Sequence, residues 1–451
     1  MFVPFLPPGT PGYAEACASF QLAAAVEPAG AFTARTVADV VRAVGVAREH
    51  GMPLRVHTTG HAMGRTAPVA GPQLLVRPLI DEPVRVDPIA RTAVVPAGKR
   101  WADVLPEANR HGLTAVHGSS ATVGVVGYLL GGGISFYGRL HGVAANTVRA
   151  ITLVRADGTV VTVSPDADPE LFWALRGGGG GFGVVVAVEI DLVPMHRVIT
   201  GMAVWDAADA ARIAPAWQSW AEHAPEAITT SLRLLNVPPM EHIPALLRGR
   251  RILAIDGAAA APTEADLPDA QRTVAGLLDP LTALAEPILN TWGPAEPGLL
   301  PLTHMDPADP LPFASDTGLT GTFTAEDWPG LLAAAGSAQL LAVELRQLGG
   351  AFARPGARDG AFGHTGAPLL YWSCGLPGED TIKDLQRVRD AIGPRFTGYT
   401  APTFVDHVAQ QQRTFGADTV ARVAAVRSRV DPDGLFAADV QAIRDITETP
   451  S

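Results

Sequence analysis

His61 is the first residue whose setting points to chemistry. In LRVHTTGHAMGRTAPVAG, residues 54–71, the apolar positions Leu54 and Val56 read as a strand. Thr58, Thr59 and Gly60 then break the pattern and set His61 at the tip of a tight turn. A lone histidine there reads first as a solvated loop residue. Further on, GVVGYLLGGGISFYG (residues 124–138) admits two readings. One is a loop whose glycines serve packing. The other is backbone brought close to a flat, phosphorylated ligand, where a Cβ would collide. Other site chemistries are missing from the sequence. No glycine cluster follows a first strand, opens a helix and finds an acidic residue about 20 positions on, so a Rossmann reading is weak. No Gly-Lys-Ser/Thr, no G-x-S-x-G and no His/Cys/Asp cluster with metal-ligand spacing occurs.

Bulk composition narrows the class. With 451 residues, two domains are the expectation. A 47% hydrophobic and 18% charged composition is that of a soluble globular protein, and no apolar run of about 18 residues marks a membrane span. The opening MFVPFLPPGTPG lacks a charged n-region and is broken by prolines, which argues against a secretory signal. Two cysteines, Cys17 and Cys374, exclude a disulfide framework and make a reducing cytoplasm the simplest location. The net charge of −11, with no basic block, argues against nucleic acid as a partner.

These residues need elements to position them. TVADVVRAVGVAREH (residues 36–50) predicts an amphipathic helix capped by Thr36 with Asp39 three positions on, and Gly51 ends it. Short strands follow at residues 53–57, 73–79, 84–87 and 91–98, then a helix over 100–112. ITLVRADGTVVTVS is a hairpin turning at Asp157-Gly158. DPELFWALR is a short helix that stops on glycines, and VVVAVEIDLVP a strand. From about Ile199, longer helices alternate with strands such as QLLAVELRQLGG and PLLYWSCG. The stretch from about Asp256 to Pro268, rich in proline and alanine, reads as a surface loop. The fold class is α+β, with small mixed sheets and helices in the first part and a helix-backed antiparallel sheet in the second. The expected division is 28–198, 199–398 and a closing segment 399–447 that returns to the first part.

In this order the pieces resemble the FAD-linked oxidases of the vanillyl-alcohol-oxidase superfamily, specifically the berberine-bridge-enzyme-like branch. HTTGH stands where that family carries R-S-G-G-H, whose histidine bonds the flavin 8α-methyl, so the resemblance implies a covalent link at His61. SATVGVVG (residues 120–127) matches C-P-T-V-G-x-G-G, GGGISFYGRLHGVAAN (residues 131–146) matches G-G-x-G…Y-G-L-x-x-D, and RGGGGGFGVVV matches R-G-x-G-x-x-F-G-V-V. ELRQLGGAFAR and VDPDGLF fit as well, so the likeness runs along almost the whole chain. It implies that FAD is held by His57, Thr58, Thr59, Gly60 and Met63, then by Ser120, Thr122, Val123, Gly124, Gly127 and Tyr128. Further contacts would come from Gly132, Gly133, His141, Gly142, Val143, Asn146 and Val185. The N–H groups of residues 57–61 suit a pyrophosphate, as an anion nest.

Three departures stand out. Ser120 replaces the family's second attachment cysteine, so one covalent link is the most this chain can make. His57 replaces an arginine in the phosphate turn. Ala401, in YTAP, replaces an asparagine near the flavin or substrate. In QLLAVELRQLGG, Leu341, Val343, Leu345 and Gln347 share one face, with Glu344 and Arg346 on the other. If the apolar face looks at the flavin, Glu344 is structural, and Tyr371 and Tyr399 become the expected proton acceptors. Val123 is the expected gate for oxygen. The function expected is an FAD-dependent oxidase of a small secondary-metabolite-like molecule, using molecular oxygen, acting as a monomer or homodimer without a metal, nucleic acid or membrane. A dehydrogenase with another acceptor and a non-redox flavin-containing cyclase or binding protein are the alternatives.

Overall fold

The computed structural model describes residues 4–441 apart from 242, 406 and 409, so the last part of the expected closing segment, 442–447, lies outside the described residues. The chain begins with α1 (Pro11–Cys17), β1 (Val26–Ala34), α2 (Val37–Glu49), β2 (Leu54–Val56) and β3 (Val69–Pro78). The Thr36 side chain accepts from the Asp39 N–H while the Asp39 carboxylate takes the Thr36 N–H, which starts α2 where the sequence places it. The three strands form a parallel sheet in the order β1-β3-β2.

There follow β4 (Arg85–Asp87), β5 (Thr92–Pro96), α3 (Trp101–Asn109), β6 (Leu113–Thr114), α4 (Val125–Leu130) and α5 (Gly138–His141). Next come β7 (Val148–Val154), β8 (Val160–Val163), α6 (Pro169–Leu175), β9 (Val184–Asp191) and β10 (Val193–Pro194). Five of these strands make an antiparallel sheet, β4-β5-β9-β7-β8, and β6 pairs with β10. The β7–β8 turn uses Gly158 at φ +83°, the left-handed geometry its Asp-Gly pair predicts. Val40, Val44, Leu54, Leu74, Val95 and Val188 share one core between the two sheets.

The second part holds β11 (Arg197–Asp206), α7 (Ala210–Ala221), β12 (Ile228–Asn236), β13 (Arg251–Ala261), α8 (Leu267–Leu284), β14 (Leu289–Asn290), β15 (Gly293–Ala295) and β16 (Ala314–Thr320). It continues with α9 (Asp327–Ala334), β17 (Leu340–Gln347), β18 (Leu369–Gly375) and α10 (Glu379–Ile392). Its strands form one eight-stranded antiparallel sheet, β14-β11-β13-β12-β17-β18-β16, with β15 also on β11. The last helix, α11 (Ala417–Val430), packs Val423 and Val426 into the first core, with Arg429 paired to Asp168, the N-cap of α6, and Arg422 to Glu170 in its first turn.

Two expectations are corrected. The alanine-rich stretch after Asp256 is no surface loop: residues up to Ala261 complete β13, hydrogen-bonded to β11 and β12 on its two sides. Alanine has low strand propensity, yet here Ala259 and Ala261 lie in the core that also holds Leu277 of α8. The second concerns the sheet faces. Val343 and Leu345 of β17, with Leu369 and Tyr371 of β18, pack into the helix-backed core beside Trp217 and Val388. The apolar face therefore meets helices, and Glu344 and Arg346 look the other way, toward the first part of the chain.

Candidate functional site

The residues 57–61 turn leaves β2 and is closed over by the segment after α1. Phe20 and Gln21 donate their N–H groups to the carbonyls of Thr59 and Gly60. Gly60 sits at φ +73°, and a Cβ there would meet Ser19 at 2.4–2.9 Å, so only glycine lets the two segments approach. The His61 ring stacks on Phe20, centroids 3.8 Å apart and planes 12° from parallel. Its Nδ1 lies 2.9 Å from the Thr59 hydroxyl and its Nε2 3.2 Å from that of Thr122, which also contacts the Ser120 hydroxyl at 2.9 Å. Burial pushes the imidazole down to about 4, outweighing the pull of Asp306. At neutral pH His61 is uncharged, with one ring nitrogen donating to a threonine hydroxyl and the other accepting from one.

Beside this turn lies a cleft of about 360 Å³ lined by Thr58, Thr59 and His61, by four cations, Arg35, Arg77, Lys99 and Arg100, and by two carboxylates, Asp81 and Asp103. The N–H groups of Thr58, Thr59, Gly60 and His61 make no hydrogen bond to another described residue, so four donors remain for a ligand. His57 brings no charge to the turn. Its Nε2–H donates to the Ala16 carbonyl at 2.7 Å, and burial holds it neutral with a pKa of about 4. Arg77 of β3 places a cation beside the turn. Its Nε donates to the Thr58 carbonyl at 2.8 Å and a second nitrogen to the Glu15 carbonyl at 2.6 Å. Free amides, cations and a neutral histidine within one cleft fit an FAD pyrophosphate and its attachment point.

The other expected cofactor residues all lie in the first part of the chain, each with its own neighbours. Gly124 begins α4 beneath the turn, where a Cβ would lie 2.8 Å from the Thr58 hydroxyl, and partly buried Val123 precedes it. Tyr128 is buried with its hydroxyl unpartnered, pressed against Gly118 and Gly133. Gly127 has open space where a Cβ would stand, and Gly132 packs on Phe362. His141, Gly142 and Val143 close α5, and Asn146 donates to the Gly363 carbonyl at 2.8 Å while its own oxygen is unpartnered. Met63 and Val185 are buried, Val185 within the first core.

On the facing sheet a group of charges is shut in. Glu344 lies opposite Arg233 across β17 and β12, while Ser231 lies opposite Arg346. One Glu344 oxygen accepts from the Ser231 hydroxyl and from Arg346 Nε, both at 2.7 Å. Asp256 of β13 pairs with Arg233. His304, on the loop before β16, places Nδ1 3.1 Å from Asp256 and Nε2 3.3 Å from Glu344. Burial alone would raise the Glu344 carboxyl, but Arg346 and His304 hold it well below the usual range. Burial and Arg233 would lower His304, and Asp256, Glu344 and Asp306 overcome them and bring it up to about 9. Phe136 meets the His304 ring edge-on at 5.5 Å, and Arg346 lies over the rings of Phe136 and Phe404. Asp306 links this group to the turn: its carboxylate accepts from the Ser119 hydroxyl at 2.7 Å and acts on His61 through space.

Tyr371 is not at this site. It is fully buried on the helix side, its hydroxyl 2.5 Å from that of Ser373, and burial raises it far above its ordinary value. A phenol held that way is no base. Tyr399 is partly buried against Ile134, Leu319 and Leu370, on the same side of the sheet as Glu344. Ala401 is fully buried in the same cluster. Sequence reasoning missed Arg77, Asp256, His304 and Asp306. Only Asp256 carried a local signal, as one carboxylate in a run of alanines.

Residues 28–164 match the model of a family described as FAD binding domain. The FAD-dependent monooxygenase FUP4 of Fusarium proliferatum (strain ET1) is 38% identical over 183 residues, 40% of this chain and 35% of that protein. The (R)-6-hydroxynicotine oxidase of Paenarthrobacter nicotinovorans is 35% identical over 168 residues, 37% of this chain and 36% of that one. These matches span about a third of each relative's length. A chitooligosaccharide oxidase has the same fold, with a TM-score of 0.78 over 98% of this chain and 97% of its own at 22% identity.

Proposed function

We propose that this chain is an FAD-linked oxidase of the vanillyl-alcohol-oxidase and berberine-bridge-like kind, and that it oxidises a small organic molecule with FAD joined covalently to His61; its FAD-binding match and its fold support the reading. The observation that carries the reading is the neutral imidazole between the Thr59 and Thr122 hydroxyls, at the edge of a cleft with four unengaged amides and four cations. Thr58, Thr59, Gly60 and Arg77 would hold the pyrophosphate, and Phe20 and the two threonines would fix the His61 ring. When bound, FAD supplies the hydride acceptor, and molecular oxygen takes the electrons to give hydrogen peroxide. Ser120 offers no thiol, so a single link is expected.

The substrate would lie between the first part of the chain and the polar face of the eight-stranded sheet. Phe136 and Phe404, which pack on Arg346, would then be its aromatic neighbours, and Glu344, Arg346 and His304 its charged ones. Tyr399 stays available as a substrate contact. An alcohol, amine or activated C–H compound of the secondary-metabolite kind suits such neighbours. Acid precipitation tests the reading: the wild-type pellet stays yellow and the His61→Ala pellet is colourless. A colourless wild-type pellet from a yellow protein would remove the covalent link from the account.

A further inference from the structure

The buried charges around His304 exceed what packing the sheet requires. Two arginines, three carboxylates and one imidazole converge there, and replacing such groups with apolar side chains is often neutral or stabilising. Their geometry singles out one atom. His304 Nδ1 faces both oxygens of Asp256, at 3.1 and 3.2 Å, which orients the ring with Nδ1–H donating. Nε2 lies 3.1 Å from an Arg346 nitrogen, a donor, and 3.3 Å from a Glu344 oxygen, an acceptor. A neutral ring accepts at Nε2 from Arg346; a protonated ring donates there to Glu344. Both protonation states thus have a partner already in place. The third neighbour of Nε2 is Asp306 at 3.9 Å, a distance one small rotation or one water closes. Asp306 is the partly exposed member, with 29% of its side chain accessible against 4% for His304.

We propose that Asp306 and His304 form a proton relay that takes the proton of a substrate O–H or N–H as the hydride leaves, with Asp256 as the positioning residue for the imidazole. The proposal rests on the oxidase reading and names its substrate class as alcohols or amines. The substrate loses its carbon-bound hydrogen with the electron pair to the flavin and its O–H or N–H proton to the Asp306 carboxylate. The proton passes from Asp306 to neutral His304 Nε2, leaving a carbonyl or imine, and later returns to solvent by the same route. The groups facing His304 are Arg233 of β12, Asp256 of β13, Glu344 and Arg346 of β17, Asp306 on its own loop, and the Phe136 ring. With all three carboxylates ionised, a proton on the ring makes the group neutral overall, consistent with a ring titrating near 9. Accepting a proton requires the neutral ring, so flavin reduction should speed up as pH rises toward that value.

The test reads the ring itself by ¹⁵N NMR and, alongside it, anaerobic flavin reduction by two probes, 6-hydroxynicotine and a chitooligosaccharide. His304 should titrate well above the ordinary value of about 6.5. In Asp256→Asn it should titrate about 1 to 3 pH units lower, because an opposing charge is gone. Asp306→Asn should slow reduction by at least about 100-fold while flavin stays attached. His304→Gln should abolish the rise of rate with pH. A wild-type ring titrating at its ordinary value overturns the relay, whatever the probes do. So does an Asp306→Asn enzyme with the wild-type rate and pH profile. Failure of the underlying reading looks different, since the denatured wild type would then carry no flavin.

Discussion

His117 should make the protein sensitive to acid by an amount that can be worked out beforehand. The ring is 1% exposed, enclosed by Trp101 and Tyr137, with Nδ1 donating to the Gly118 carbonyl at 2.7 Å and Nε2 unpartnered. Burial lowers its pKa from 6.5 to about 4. A histidine depressed in the folded state binds its proton more readily when unfolded. Its contribution to stability is therefore present above about 6.5 and lost as pH falls toward 4. Going from pH 7 to pH 5 protonates the unfolded ring almost fully and the folded ring hardly at all, a loss of about 2 kcal/mol. Asp439 has the opposite sign, because burial raises it to about 6 and acid relieves it. The whole-protein curve mixes the two, so the comparison has to be made against a variant. His117→Phe should be weaker than wild type at pH 7, through the lost hydrogen bond, yet should lose about 2 kcal/mol less between pH 7 and pH 5. Urea unfolding at the two pH values measures this. Parallel losses in the two proteins would refute the claim that the buried ring is neutral.

Three further outcomes follow from the site. Tyr371→Phe should cost about 1 kcal/mol in urea unfolding and leave anaerobic flavin reduction unchanged, because the hydroxyl meets only groups on the helix side of the sheet. Arg77→Gln, placed in a His61→Ala background and titrated by flavin fluorescence, should weaken FAD binding about tenfold or more, the worth of a charge-assisted hydrogen bond. Val123→Leu should slow reoxidation by oxygen in stopped flow while leaving anaerobic reduction intact; equal reoxidation rates would remove Val123 as a gate.

What could be read from sequence was local. The α2 cap, the Asp-Gly hairpin and the break before His61 depend on neighbours within a few residues, and each stands as its residues imply. Strand alternation correctly separated Val343 and Leu345 from Glu344 and Arg346. It could not say which face meets the flavin-binding part, because both faces of this sheet are covered and period two carries no direction. The alanines of β13 hid a central strand, since small side chains there fit the contact with α8 instead of advertising strand propensity. Asp256, His304 and Glu344 lie dozens of residues apart on a strand, a loop and another strand, so only the sheet register brings them together. Arg77 reaches the 57–61 turn from the neighbouring strand, so the cation beside it is set by strand pairing and not by the local sequence of the turn.

The covalent bond proposed at His61 is tested most directly on the peptide that would carry it. Protein purified with its yellow colour, denatured in acid and digested, should yield one flavin-bearing peptide. That peptide should contain His61, carry the mass of one FAD, and be absent from His61→Ala. Release of all the flavin as free FAD, or its recovery on a peptide without His61, would contradict the assignment of this turn.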